Sequence, residues 1–185
     1  MRRDVELPPL VVNHEKGATM TGQADWGRDG WAVQPGAGRL IELGGPHRPE
    51  TLVRGAEVDG ALGAFVFHHD VIVENPPHAH HDFMKIAYVL QGQYHFRVGG
   101  AEFSGGPGTT VIVPRGAFHT FVTPTGGKLL FVSAPAGNEQ LFEELGSLGP
   151  NPTPEQLAEV DERFGTTRLP GDEGRPWSHL RGAAR

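Results

Sequence analysis

Three histidines, His78, His80 and His81, stand inside the stretch Asn75 to Gly92 (NPPHAHHDFMKIAYVLQG), between a proline pair and an apolar run that closes on glycine. Along a strand, residues two apart project from one face, so His78 and His80 address one point while His81 turns to the other side. Two imidazoles make half of a metal site. His119 follows a turn built by Pro114 and Gly116 on a different strand, and a barrel brings it to the same point. The chain has no cysteine, which leaves histidine nitrogen and carboxylate oxygen as the donors for any metal.

The elements that must position these residues are short. The 185 residues are enough for one ordinary domain, 37 % of them are apolar, and 27 glycines with 16 prolines imply many turns and little long helix. Apolar runs recur at 39–43, 51–53, 62–69 and 71–73, separated by pieces such as GGPHRPE. The runs 83–90, 94–98 and 101–104 read as a β-meander, with turns at Gln91-Gly92 and Gly99-Gly100. Runs 109–113, 119–122 and 128–133 read as the closing strands. Asn138 is expected to cap a helix carrying Leu141, Phe142 and Leu145. Thr153-Pro154-Glu155-Gln156 is a capping box that opens a second helix, with Leu157, Val160 and Phe164 on one stripe before Gly165. The expected organisation is an N-terminal arm over 1–35, a barrel over 36–135, and C-terminal helices with a tail over 136–185.

A net charge of −6 argues against a hold on phosphate backbones, so nucleic acid is not an expected partner. No apolar run reaches the length of a membrane span, and the start MRRDVELPPL lacks a signal-peptide core. A soluble, cytoplasmic protein is the expectation.

The segment PPHAHHDFMKIAYVLQG resembles the first motif of the cupins, in which H-x-H is followed by a glutamate and an apolar run to glycine. The segment from Gly108 to Thr123 (GTTVIVPRGAFHTFVT) resembles the second, with glycine, proline, glycine and histidine at matching intervals. Both occur in order, and the chain's length and helical end look like the single-domain members of the quercetin 2,3-dioxygenase group. The resemblance implies an all-β fold: a single cupin barrel, or double-stranded β-helix jelly roll, with an N-terminal arm and two short C-terminal helices. It further implies one divalent metal ion (Fe, Ni, Co, Mn or Zn) on His78, His80 and His119, a small-molecule substrate, and a homodimer. Three positions depart from the family: Lys85 replaces the glutamate ligand, Thr123 the final asparagine, and Ile72 a glycine.

Lys85 opens three readings. Three neutral histidines can hold a metal with open positions while Lys85, its pKa pulled down by burial, acts as base on an enolisable or aromatic substrate, as in a quercetinase-like dioxygenase. A metal-free cavity can use the lysine cation for a non-oxidative cyclase, isomerase or decarboxylase reaction. A non-catalytic barrel can simply bind or sense a small molecule. Asp82, in the turn after the H-x-H pair, is either a replacement carboxylate ligand or a turn residue facing solvent. His69, Tyr94, Phe96 and Phe121 are candidate pocket residues, against a plainer reading of His68 and His69 as satisfied structural histidines and of Phe83, Tyr88, Phe118 and Phe121 as core. His95 is expected to face outward. His14, His47 and His179 fall in loops or tails and take no role.

Overall fold

The computed structural model describes residues 29–43, 45–71 and 73–169. The expected arm over its first 28 residues, position 72 and the tail from 170 lie outside them. Twelve strands and two α-helices are present among the described residues: β1 (Arg39–Leu40), β2 (Arg48–Val53), β3 (Gly63–His69), β4 (Val73–Glu74), β5 (His78–His80), β6 (Met84–Gly92), β7 (Tyr94–Val98), β8 (Ala101–Gly105), β9 (Thr110–Val113), β10 (His119–Thr123), β11 (Gly127–Ala134), α1 (Asn138–Ser147), α2 (Pro154–Arg163) and β12 (Thr166–Arg168). One sheet runs β1-β2-β3-β11-β6-β9 and the other β12-β5-β10-β7-β8, with β4 also on β10. All pairings are antiparallel. Two facing antiparallel sheets from one chain, as expected for the jelly roll, put alternate residues of strands such as β6, β7 and β9 between them.

The meander expected over 83–104 is corrected. β6 pairs with β11 and β9, while β7 pairs with β8 and β10, so the chain changes sheets between β6 and β7. Gly92, at φ 87°, allows the change. A side chain there would also meet the Gly126 carbonyl oxygen at 2.3 Å, so no other residue fits both the dihedral and the space.

Alternation along β6 aims Lys85, Ala87 and Val89 inward and leaves Tyr88 and Leu90 outside. Val111 and Val113 on β9, and Leu129, Phe131 and Ser133 on β11, point the same way. The core is aromatic. Phe65 stacks on Phe131 at 5.4 Å between ring centres and meets Phe67 edge-on at 5.3 Å. Tyr94, Phe96 and Phe121 belong to this core. Tyr88 and Phe118, read as core from the sequence, are exposed instead.

The two helices follow β11. The expected Asn138 cap is not formed: Gly137 is the N-cap, and Asn138 is the first helical residue, fully buried. Glu139 supplies the missing acceptors, taking hydrogen bonds from the Gly137 and Gly55 amides at 3.0 Å each. The Thr153–Gln156 capping box does form at α2. After Gly165 the chain re-enters the second sheet as β12, a strand that the sequence did not signal. No described helix is long and apolar enough to cross a membrane.

Glu139 and Gly63 give a direct test of how the helices are tied to the barrel. A methyl group on Gly63 would lie 1.9 Å from Glu139 Oε2, and that carboxylate is fully buried and fixed by two amides. Gly63→Ala is expected to lower the unfolding free energy by about 2–4 kcal/mol through overpacking and lost hydrogen bonds, read by denaturant titration; a change below about 0.5 kcal/mol would mean the carboxylate is not fixed.

Candidate metal centre

β5 lies between β10 and β12, and two of its three residues face inward. The register places His119 opposite His78, Arg168 also opposite His78, and Thr166 opposite His80. The imidazoles of His78, His80 and His119 therefore converge, all buried, with ring centres 4.3–5.6 Å apart.

Each ring is held from behind. His78 Nδ1 donates to the Pro76 carbonyl at 2.8 Å and His119 Nδ1 to the Ala117 carbonyl at 3.0 Å. His80 Nδ1 meets Thr166 Oγ1 at 3.0 Å. That hydroxyl gives its own proton to the Phe164 carbonyl, so it accepts from the imidazole. All three rings thus carry the proton on Nδ1 and present the lone pair of Nε2 inward. Nε2 of His80 and of His119 are buried without a hydrogen-bond partner among the described residues. A buried nitrogen lone pair left unpaired costs free energy unless something accepts it, and one candidate donor atom from each histidine lies within 4.8 Å of the other two. Three neutral nitrogen donors so arranged fit a divalent cation.

The electrostatics agree. Burial, followed by the charge of Lys85, holds all three histidines well below the usual imidazole range, so they are neutral and available as donors at pH 7. Lys85 is itself buried, 4 % exposed, with Nζ 5.2 Å from the centre of the Phe131 ring. Burial lowers its pKa to about 7. His78, His80 and Lys85 share a cavity of about 50 Å³, together with Asn75, Phe121, Phe131, Arg168 and α1 residues such as Phe142.

The other residues singled out in the sequence divide between this cavity and elsewhere. Phe121 lines it; Tyr94 and Phe96 lie in the core without lining it. Asp82 is exposed, its carboxylate lying against Gly165 and outside the three-histidine group. The solvent-facing turn is where the fold puts it. His81 is exposed and bonded to Thr167 Oγ1. His95 is half-buried, against Ser104. His68 is bound to Glu50 at 2.8 Å. His69 sits with its Nδ1 on the Tyr94 hydroxyl at 2.9 Å and its Nε2 on His47 Nδ1 at 3.3 Å, lining a separate pocket with Gly126 and Gln91. His47 was assigned no role from the sequence, yet its ring packs on Phe67, His69 and Phe121. Burial lowers the pKa of His47 to about 4, and burial with the neighbouring His47 lowers that of His69 to about 3. The sequence also missed Thr166 and Arg168, because nothing marked β12 as a strand.

Two measurements follow. Thr166→Val removes the acceptor that orients His80 while keeping the side chain's shape; metal affinity is expected to fall about 10- to 100-fold, and unchanged affinity would show that Thr166 does not hold the ring. Lys85 also bears on stability. Its folded pKa is lowered from 10.5 to about 7, so burying its charge is a burden that is fully present below pH 7 and disappears as pH rises through 10.5. At about 1.4 kcal/mol per pH unit this is on the order of 5 kcal/mol. Metal-free Lys85→Met is expected to exceed the wild type in stability by several kcal/mol at pH 6 and to converge on it near pH 10, in denaturant titrations. A pH-independent difference would contradict the buried charge.

The Cupin_2 family model, described as a cupin domain, matches residues 70–135. No curated protein sequence matches the chain significantly. Among solved structures, an RmlC-like cupin from Shewanella frigidimarina NCIMB 400 superposes with a TM-score of 0.52 at 24 % identity, covering 61 % of this chain and 96 % of that one. KdgF from Halomonas sp. gives 0.48 at 18 % identity, covering 55 % and 91 %. The Cnp3 cupin domain of Schizosaccharomyces pombe gives 0.48 at 18 %, covering 60 % and 77 %. The first of these supports the architecture, and the matched segment contains both histidine motifs. Residues 70–135 thus form one cupin domain, and the two antiparallel sheets around it have the cupin architecture.

Proposed function

We propose that this protein is a metal-dependent enzyme that moves a proton on a small enolisable oxygenated molecule, with the metal on His78, His80 and His119 and Lys85 as the base. The observation that carries the reading is the buried amine of Lys85 in the same cavity as His78 and His80, whose imidazoles converge with that of His119. The ion, one of Fe, Ni, Co, Mn or Zn, would supply a Lewis acid that polarises a carbonyl or enolate oxygen. The protein's own part is the remainder. Pro76, Ala117 and Thr166 orient the donors. Phe121, Phe131 and Phe142 keep water out of the cavity. Lys85, with a pKa near 7, has an unprotonated fraction at neutral pH and takes a proton from the carbon or hydroxyl next to the polarised oxygen.

A quercetinase-like dioxygenase is the second reading. It is favoured by the donor set, since three imidazoles leave positions open for a substrate and O₂ together. The size of the cavity, about 50 Å³, supports non-oxidative chemistry on a smaller molecule instead of a three-ring flavonol. Oxygen consumption during turnover separates the two, because proton transfer alone uses none.

Lys85→Met is expected to keep the metal and lower turnover by about 10²- to 10⁴-fold, the usual contribution of a general base. The wild-type rate should fall as pH falls through a pKa at or below 7, as the amine is protonated and loses its lone pair; the variant should lose that limb. Full activity in Lys85→Met would remove the lysine from the mechanism.

A further inference from the structure

One strong cation that the histidine motifs do not explain stands at the edge of the cavity, its side chain 37 % exposed. Arg168 lies on β12 directly opposite His78 and contributes to the cavity wall. Its Nε and Nη2 are both taken by the Asp161 carboxylate of α2, at 2.6 and 2.8 Å. This two-point contact fixes the plane of the guanidinium, and Nη1 is left without a partner among the described residues.

We infer that the molecule taken into this cavity is a small carboxylate and that Arg168 binds its carboxylate group, which makes Arg168 a specificity-determining residue of the site. The substrate class deepens the proposed function and rests on that reading for the metal's charge, but the contact with Arg168 does not need the metal. Among the described residues, no aspartate or glutamate lines the cavity. Asp161 offsets the charge of Arg168 from behind, yet nothing in the lining offsets a divalent ion on three neutral imidazoles. An uncompensated charge in a low-dielectric cavity is costly, and an anionic ligand supplies the missing negative charge.

Arginine presents its donors in a planar fork that suits a carboxylate, and Asp161 has already ordered that fork. Asn75 adds a neutral hydrogen-bonding group to the same wall. The cavity of about 50 Å³ has room for only a few waters, which limits the ligand to roughly two to four carbons.

Isothermal titration of the full chain tests this with acetate, pyruvate and 2-oxobutyrate against the neutral acetamide and butane-2,3-dione. Each is run on Zn²⁺-loaded and on chelator-treated protein. The carboxylates are expected to bind at least about tenfold more tightly than the neutral molecules. Arg168→Met should lose about tenfold or more for the carboxylates only, and Arg168→Lys, which keeps the charge without the fork, should fall between. Thermal unfolding confirms that each variant is folded, and the lysine variant serves if the methionine variant is not. Equal binding of neutral and charged molecules, unchanged binding by both variants, or a loss confined to Lys85→Met would overturn the assignment. A chain that takes no Zn²⁺ but binds carboxylates through Arg168 upholds it and sinks the metal reading. A chain that takes Zn²⁺ and binds carboxylates without Arg168 does the reverse.

Discussion

The Nδ1 proton of each converging imidazole is held by an oxygen that the strands fix in place, and the character of the centre depends on this. Two of those oxygens are backbone carbonyls two residues before the histidine, Pro76 for His78 and Ala117 for His119. The third belongs to Thr166, brought in by the pairing of β12 with β5. A ring so held cannot turn its lone pair toward the backbone, so its free nitrogen must face the cavity. Without the proline turns before β5 and β10 the same three histidines would be ordinary buried rings.

The charge pattern follows from the same burial. A cupin glutamate would have placed one negative charge beside three neutral donors; this chain places a lysine there, in the inward row that continues through Ala87 and Val89. Burial disfavours protonation of the lysine and of the histidines, and the lysine's charge lowers the histidines further. The groups therefore suppress one another's charge, and at neutral pH the imidazoles and Lys85 add little positive charge to that of Arg168. Such surroundings keep the inward-facing imidazole nitrogens free of protons, and they keep an amine lone pair available as well.

Much of this was legible in the sequence, and the reason is local. The strand runs show as short alternating segments between turn residues, and the two motifs set three histidines and Lys85 at spacings that only a barrel brings together. What was not legible depends on pairing at a distance. Thr166 to Arg168 is three residues after a helix stop, too short for periodicity, and becomes a strand only because β5 offers an unpaired edge. His47 lies in GGPHRPE, which reads as a turn, and is buried because its ring finds Phe67, His69 and Phe121 across the barrel. Asn138 has the chemistry of a cap, but Glu139 reaches the free amides and leaves the asparagine inside. The meander breaks at Gly92 because β6 and β7, adjacent in sequence, pair in different sheets.

β12 lies outside the segment shared with the family, at residues 166–168, and it closes the edge beside the histidines. In the order of synthesis it comes after every barrel strand and both helices, so the surroundings of the three histidines are finished last. It is also an edge strand of three residues, and edges of that length open at a lower free energy than the sheets behind them. Thr166 and Arg168 depend on that one pairing together, while His78 and His119 are paired independently across β5 and β10. One three-residue strand thus carries both the hydroxyl that orients His80 and the guanidinium beside His78.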